Sequence, residues 1–152
     1  MVFSRQLKAL LFIAAFVGTA TIACRASDIW ATSKLLQPAE LAKELSDAGR
    51  SKPTIVYVGP RFLFRGGHIP GAEFHGAAGN PAGLEALKAW AMNLPRTQSI
   101  VIYCGCCPWD QCPNVRPAFS SLQEMGFKQL RVLKIPTNFE TDWVRKGYPV
   151  EK

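Results

Sequence analysis

An α/β fold with a central, mostly parallel sheet flanked by helices is predicted by three observations. Short β-branched runs alternate with amphipathic stretches, the run ending at Tyr103 is apolar at every position from Ile100 instead of every second one, and prolines and glycines stand where helices open and stop. A strand apolar on both faces needs cover on both, which helical layers on either side of a parallel sheet provide.

Each element follows from its own residues. Residues 25–37 read as a polar lead-in. Pro38 suits a first helical position and opens a helix over 38–49, with Leu41 and Leu45 one turn apart and Gly49 as the stop. The β-branched run 54–58 reads as a strand closed by Gly59-Pro60. Asn80-Pro81 opens a helix reaching Leu94, with Leu84, Leu87, Trp90 and Ala91 on one face and Pro95 ending it. Residues 99–103, Ser-Ile-Val-Ile-Tyr, form a strand covered on both faces. Beyond a cysteine-rich loop, 118–125 reads as a helix stopped by Gly126, and 130–133 as the next strand. Asn138 caps a last helix through Lys146, ended by Gly147. The sequence contains no internal repeat and no low-complexity tract.

The length of 152 residues suits one domain, and 48% hydrophobic with 19% charged residues suits a packed core. Residues 1–8 carry Arg5 and Lys8, and 9–23 is an apolar stretch ending in small residues, the form of a secretory leader. The stretch is shorter than the roughly 20 residues of a membrane span. We expect a signal peptide over 1–26 and a single domain over 27–152, exported to the periplasm or beyond. Thr21-Ile22-Ala23-Cys24 resembles a lipoprotein box, although Thr21 stands where Leu is usual, so a lipid anchor at Cys24 is the alternative to plain cleavage and the one route to a membrane. Without the two leader cations, 16 basic and 11 acidic residues remain, a net charge of +5 from the chain's +7. Those cations are scattered, which argues against nucleic acid as a partner.

Four of the five cysteines, Cys104, Cys106, Cys107 and Cys112, fall within nine residues between a strand and a helix. A thiolate at a helix mouth is stabilised by the helix dipole and loop N–H groups, which makes it a nucleophile at neutral pH. Cys104, directly after the strand, is the expected nucleophile. The alternatives are a structural disulfide or buried cysteines acting as small hydrophobes, and for the other three a structural or redox role weighs as much as catalysis. One such role is a redox guard, in which Cys112 traps an oxidised neighbour as a disulfide.

Gly67-His68-Ile69-Pro70-Gly71-Ala72 matches the GHIPGA signature of rhodanese-like domains, Tyr103-Cys104 stands where that family has its catalytic cysteine, and Trp143 with Gly147-Tyr148-Pro149-Val150 resembles its closing W-x-x-x-G-Y-P-V. The chain thus resembles rhodanese-like sulfurtransferases from about residue 35 to 150. The resemblance implies a three-layer rhodanese-like α/β fold and sulfur transfer from thiosulfate or a similar donor to a thiophilic acceptor through a persulfide on Cys104. Gly105, Cys106, Cys107, Trp109, Cys112 and Arg116 would complete the active-site loop. His68 reads better as a structural histidine. No cofactor or metal is implied. The partners would be a small sulfur-containing anion or thiol acceptor and a protein sulfur or redox partner.

Three departures mark this chain. Tyr57-Val58-Gly59 replaces the family's Asp-Val-Arg, the loop from Cys104 to Arg116 is longer than the family's six residues, and Lys134-Ile135-Pro136-Thr137 replaces a Gly-Gly. Arg116 is the candidate to close the loop. Two rivals use the same cysteines. A thiol-disulfide redox protein is suggested by the C-x-x-C at 104–107, but the helix expected after Thr137 stands where a thioredoxin has a strand. A soft-metal (Cu or Zn) module is suggested by clustered thiols, but C-x-C-C-x4-C lacks the paired knuckles of zinc sites. A phosphatase of the C-x5-R type is disfavoured because no cysteine has an arginine six positions on.

Overall fold

The computed structural model describes residues 34–152. The leader expected over 1–26 and the Cys24 anchor lie outside the described residues. Five parallel strands form one sheet in the order β1-β5-β4-β2-β3: β1 Lys34–Leu36, β2 Thr54–Tyr57, β3 Ala72–Phe74, β4 Ser99–Tyr103 and β5 Gln129–Leu133. Helices α1 Pro38–Ser46, α2 Arg61–Gly66, α3 Pro81–Ala91, α4 Val115–Glu124 and α5 Phe139–Asp142 connect or follow them. The mostly parallel sheet expected from the sequence is parallel at every pairing.

Along β4 successive side chains enter opposite cores, which is why Ile100 to Tyr103 are apolar or aromatic without a break. Ile100 and Ile102 join Val56 and Val132 beneath Leu87 and Ala91 of α3 and Val115, Phe119 and Leu122 of α4. Val101 and Tyr103 join Ile55 and Leu133 beneath Leu41 of α1, Phe139 of α5 and Trp143. Each fully buried Leu, Ile or Phe here contributes about 1.5–3 kcal/mol of transfer free energy. The Arg131 guanidinium of β5 donates two hydrogen bonds, 2.6 and 2.8 Å, to the Glu44 carboxylate and so ties α1 to the sheet. That forked pairing holds the Glu44 carboxyl below its ordinary value against the cost of burial.

Several elements differ from the sequence expectation. β1 lies inside the stretch read as a polar lead-in, and it is too short to show a period. The segment between Pro60 and Phe74, assigned no element, forms α2 and β3. Helix α4 begins at Val115, three residues before the expected Ala118, because Pro117 occupies its first turn, where a missing N–H breaks no helical bond. The last helix is capped as expected, the Asn138 side chain accepting the Thr141 N–H at 2.8 Å, but it divides at Trp143 into α5 and a 3₁₀ turn, Val144–Lys146. Trp143 is fully buried and donates its indole N–H to the Pro149 carbonyl at 2.8 Å, which folds the C-terminal segment back onto the domain. His68 and Glu151 then exchange two backbone hydrogen bonds of 2.9 Å, joining the two family-like motifs. Among the described residues no helix is long and apolar enough to cross a membrane.

Candidate active site

All four described cysteines gather at the carboxyl end of β4, where loops of a parallel sheet converge. The Val58 N–H bonds the Tyr103 carbonyl at 2.9 Å, and Cys104 then turns away from the sheet. Gly105 makes the turn at φ +78°, and a Cβ there would stand 2.7 Å from Cβ of Phe139, so only glycine fits. The Gly105 carbonyl accepts the Phe139 N–H and the Ile135 carbonyl accepts the Trp109 N–H, both at 2.9 Å. The residues replacing the family's Gly-Gly thus brace the longer cysteine loop.

Cys104 and Cys112 are buried, whereas Cys106 and Cys107 are half-buried. Sγ of Cys106 lies 3.2 Å from that of Cys104, 2.9 Å from that of Cys107 and 3.8 Å from that of Cys112. A cavity of about 600 Å³ opens above Cys104, Gly105 and Cys106, walled by Tyr57, Phe62, Leu63, Phe139 and Val144, with Glu140 and Lys152 as its charged lining. Cys107, Trp109, Cys112 and Arg116 do not line it. Trp109 packs on the core beside the loop, and Arg116 is exposed in the first turn of α4.

The electrostatics set the two buried thiols apart. Cys112, not Cys104, sits at the mouth of α4. The Cys104 thiol acts on it as a hydrogen-bond donor, and with the N–H groups of Asn114 and Val115 outweighs burial, pushing Cys112 down to about 5. The same bond to Cys112, together with burial, pushes Cys104 up, and an N–H from Cys106 offsets this only in part. At neutral pH the site therefore pairs a Cys112 thiolate with a Cys104 thiol.

Three further residues shape the site without being expected from the sequence. The Asn114 amide nitrogen faces Sγ of Cys104 at 3.5 Å and Sγ of Cys112 at 3.8 Å. An Asn before a helix signals a cap, and only the fold diverts this one to sulfur. A Cβ on Gly59 would stand 2.6 Å from Sγ of Cys104 and 2.5 Å from the Tyr57 hydroxyl, which donates to the Pro60 carbonyl at 3.2 Å. The Tyr-Val-Gly sequence thus places a hydroxyl and a close-packed glycine against Cys104. His68 is remote from the cavity chemistry: its Nδ1–H donates to the Phe64 carbonyl at 3.0 Å and its ring stacks on Phe64.

No family model matches the chain, and no curated protein matches it. Solved structures do. The Alr3790 protein from Anabaena sp. is 22% identical, with 76% of this chain and 81% of that one covered at a TM-score of 0.56. The single-domain sulfurtransferase RDL2 of Saccharomyces cerevisiae is 16% identical, with 76% and 91% covered at 0.51. A Rhodopseudomonas palustris protein of unknown function, described as a possible tyrosine phosphatase, is 22% identical, with 80% and 86% covered at 0.53. An X-ray structure of the rhodanese-like domain of Alr3790, 23% identical, covers 75% of this chain and 94% of its own at 0.50. With the parallel sheet and the cysteine at the end of β4, these likenesses establish that residues 34–152 have the rhodanese-like fold.

Proposed function

We propose that this protein is a sulfurtransferase of the cell envelope, carrying sulfane sulfur as a persulfide on Cys104 from thiosulfate or a similar anion to a thiophilic acceptor. The observation that carries this reading is the place of Cys104, at the end of β4 on the floor of the cavity with a thiolate beside it. The two buried thiols share one proton, and in the form in which it rests on Cys112 the Cys104 thiolate attacks the outer sulfur of thiosulfate. A new S–S bond forms, the donor's own S–S bond breaks, and sulfite leaves with the bonding pair. The anionic persulfide accepts N–H groups from Cys106 and Asn114. A protein thiol or small thiol then removes the outer sulfur and restores the site. Sγ of Cys106 lies 3.2 Å from that of Cys104 and 3.8 Å from that of Cys112, close enough for a redox guard between turnovers in which Cys112 traps an oxidised neighbour as a disulfide. The phosphatase reading suggested by one structural relative is disfavoured, because no cysteine has the required arginine six residues on.

Thiocyanate formation from thiosulfate and cyanide tests the proposal, with intact mass measured after thiosulfate alone. The wild-type chain should gain one sulfur atom and Cys104→Ser should lose both activities. Activity retained in Cys104→Ser and lost in Cys112→Ser would move the sulfur to Cys112. Export is tested in the producing cell, where a full-length cytoplasmic product would overturn it.

A further inference from the structure

We infer that Cys104, Cys106 and Cys112 also form a three-sulfur binding site for a soft monovalent d¹⁰ cation, Cu(I) by class. The three Sγ atoms all lie within 4.8 Å of one another, with separations of 3.2 Å for Cys104 to Cys106 and 3.8 Å for Cys106 to Cys112. Three sulfurs each about 2.3 Å from a central ion stand about 4 Å apart, so the cluster takes an ion with shifts of tenths of an ångström. Two of the three also line the cavity, which supplies an entry path.

The donor set selects the ion. No histidine nitrogen or carboxylate oxygen joins this group among the described residues. The neighbouring Asn114 turns its Oδ1 away to accept the Gly79 N–H at 2.8 Å and points its N–H donors at the sulfurs. A ligand set of thiolates alone, half enclosed by apolar residues, suits Cu(I), whereas zinc completes a tetrahedron with a fourth ligand. The one further sulfur is Cys107, bonded to Cys106 at 2.9 Å but outside the triplet. N–H donors from Asn114, Val115 and Cys106 already point at Cys104 and Cys112 and would offset the charge of a thiolate cage.

The test uses the full chain, reduced with a phosphine and kept free of oxygen, with Ag(I) as a redox-inert probe and Cu(I) in competition with bicinchoninate. Native mass spectrometry should count one tightly held ion per chain. Alkylation of the unmutated protein separates ligand from bystander. Cys106 and Cys107 are adjacent and both half-buried, yet the ion should slow modification of Cys106 by about 100-fold or more while leaving Cys107 within about threefold. Cys104→Ser, Cys106→Ser and Cys112→Ser should each weaken Cu(I) binding by about 100-fold or more, and Cys107→Ser should not. Equal protection of Cys106 and Cys107, unchanged affinity in the triplet variants, or Zn(II) held as tightly as Cu(I) would each overturn the assignment. None of these readouts depends on sulfur transfer.

Discussion

The Asn114 side chain bridges two cores of chemistry and structure: its nitrogen faces Sγ of Cys104 and Cys112 at 3.5 and 3.8 Å, and its oxygen holds the Gly79 N–H at 2.8 Å. Asn114→Asp keeps the acceptor for Gly79 but replaces N–H donors with a negative charge beside a thiolate. Asn114→Ala loses both functions. Both should raise the Cys112 pKa, and the alanine variant should also lose about 0.5–1.5 kcal/mol of stability with the hydrogen bond to the exposed Gly79. Denaturant unfolding and ultraviolet thiolate absorbance measure the two effects separately.

Cys112 offers a pH signature. Its folded pKa of about 5 lies below the ordinary 9, so its ionisation contributes stability that is fully present above 9 and lost as pH falls towards 5. Thiolate absorbance in the native protein should persist down to about pH 5 and be missing from Cys112→Ser. Unfolding free energy should rise with pH across that window more steeply in the wild type than in Cys112→Ser.

Gly59 sets the space above Cys104. Gly59→Ala forces a methyl group into the 2.6 Å gap to Sγ of Cys104 and the 2.5 Å gap to the Tyr57 hydroxyl. The expected cost is about 1–3 kcal/mol, the usual range for overpacking a buried site. Iodoacetamide modification of Cys104 should slow further than thermal stability alone would account for. Combining the change with Tyr57→Phe should recover part of both losses.

The Glu44–Arg131 pair ties α1 to β5, and its side chains are only 26% and 20% exposed. Arg131→Ala should destabilise the domain by about 1–2 kcal/mol. Because Glu44 is held below its ordinary value, the stabilisation is present above that value and lost as pH falls through the lowered one. The difference between wild type and Arg131→Ala should therefore shrink in acid, as chemical denaturation at two pH values would reveal.

The central strand and the fold class were legible because β4 is apolar without a break from Ile100 to Tyr103, a pattern that only two-sided cover explains. The sulfur chemistry was legible in its location and illegible in its division of labour. Cys104 stood out by its place directly after the strand, and a helix read as starting at Ala118 left Cys112 without a helix mouth of its own. The true start at Val115, hidden by Pro117, brings the N–H groups of Asn114 and Val115 onto Cys112. β1 and β3, three residues each, carry no period of their own and exist through pairing with neighbours distant in sequence. The Tyr57 and Gly59 contacts with the thiol region depend on the approach of β2 to β4, which local sequence does not encode.

The register of the sheet's edge has a consequence for how the chain reaches this state. Among the described residues β1 pairs only with β5, Lys34 against Arg131 and Leu36 against Leu133, so β1 has no partner in this sheet until β5 has emerged. Closing so large a loop is slow relative to local helix formation. The unpaired amides of β5 meanwhile form a sticky edge open to another chain. Late docking of β1 should be the slow phase of refolding, and oligomers trapped at high protein concentration should be those in which β1 of one copy has taken the place meant for its own.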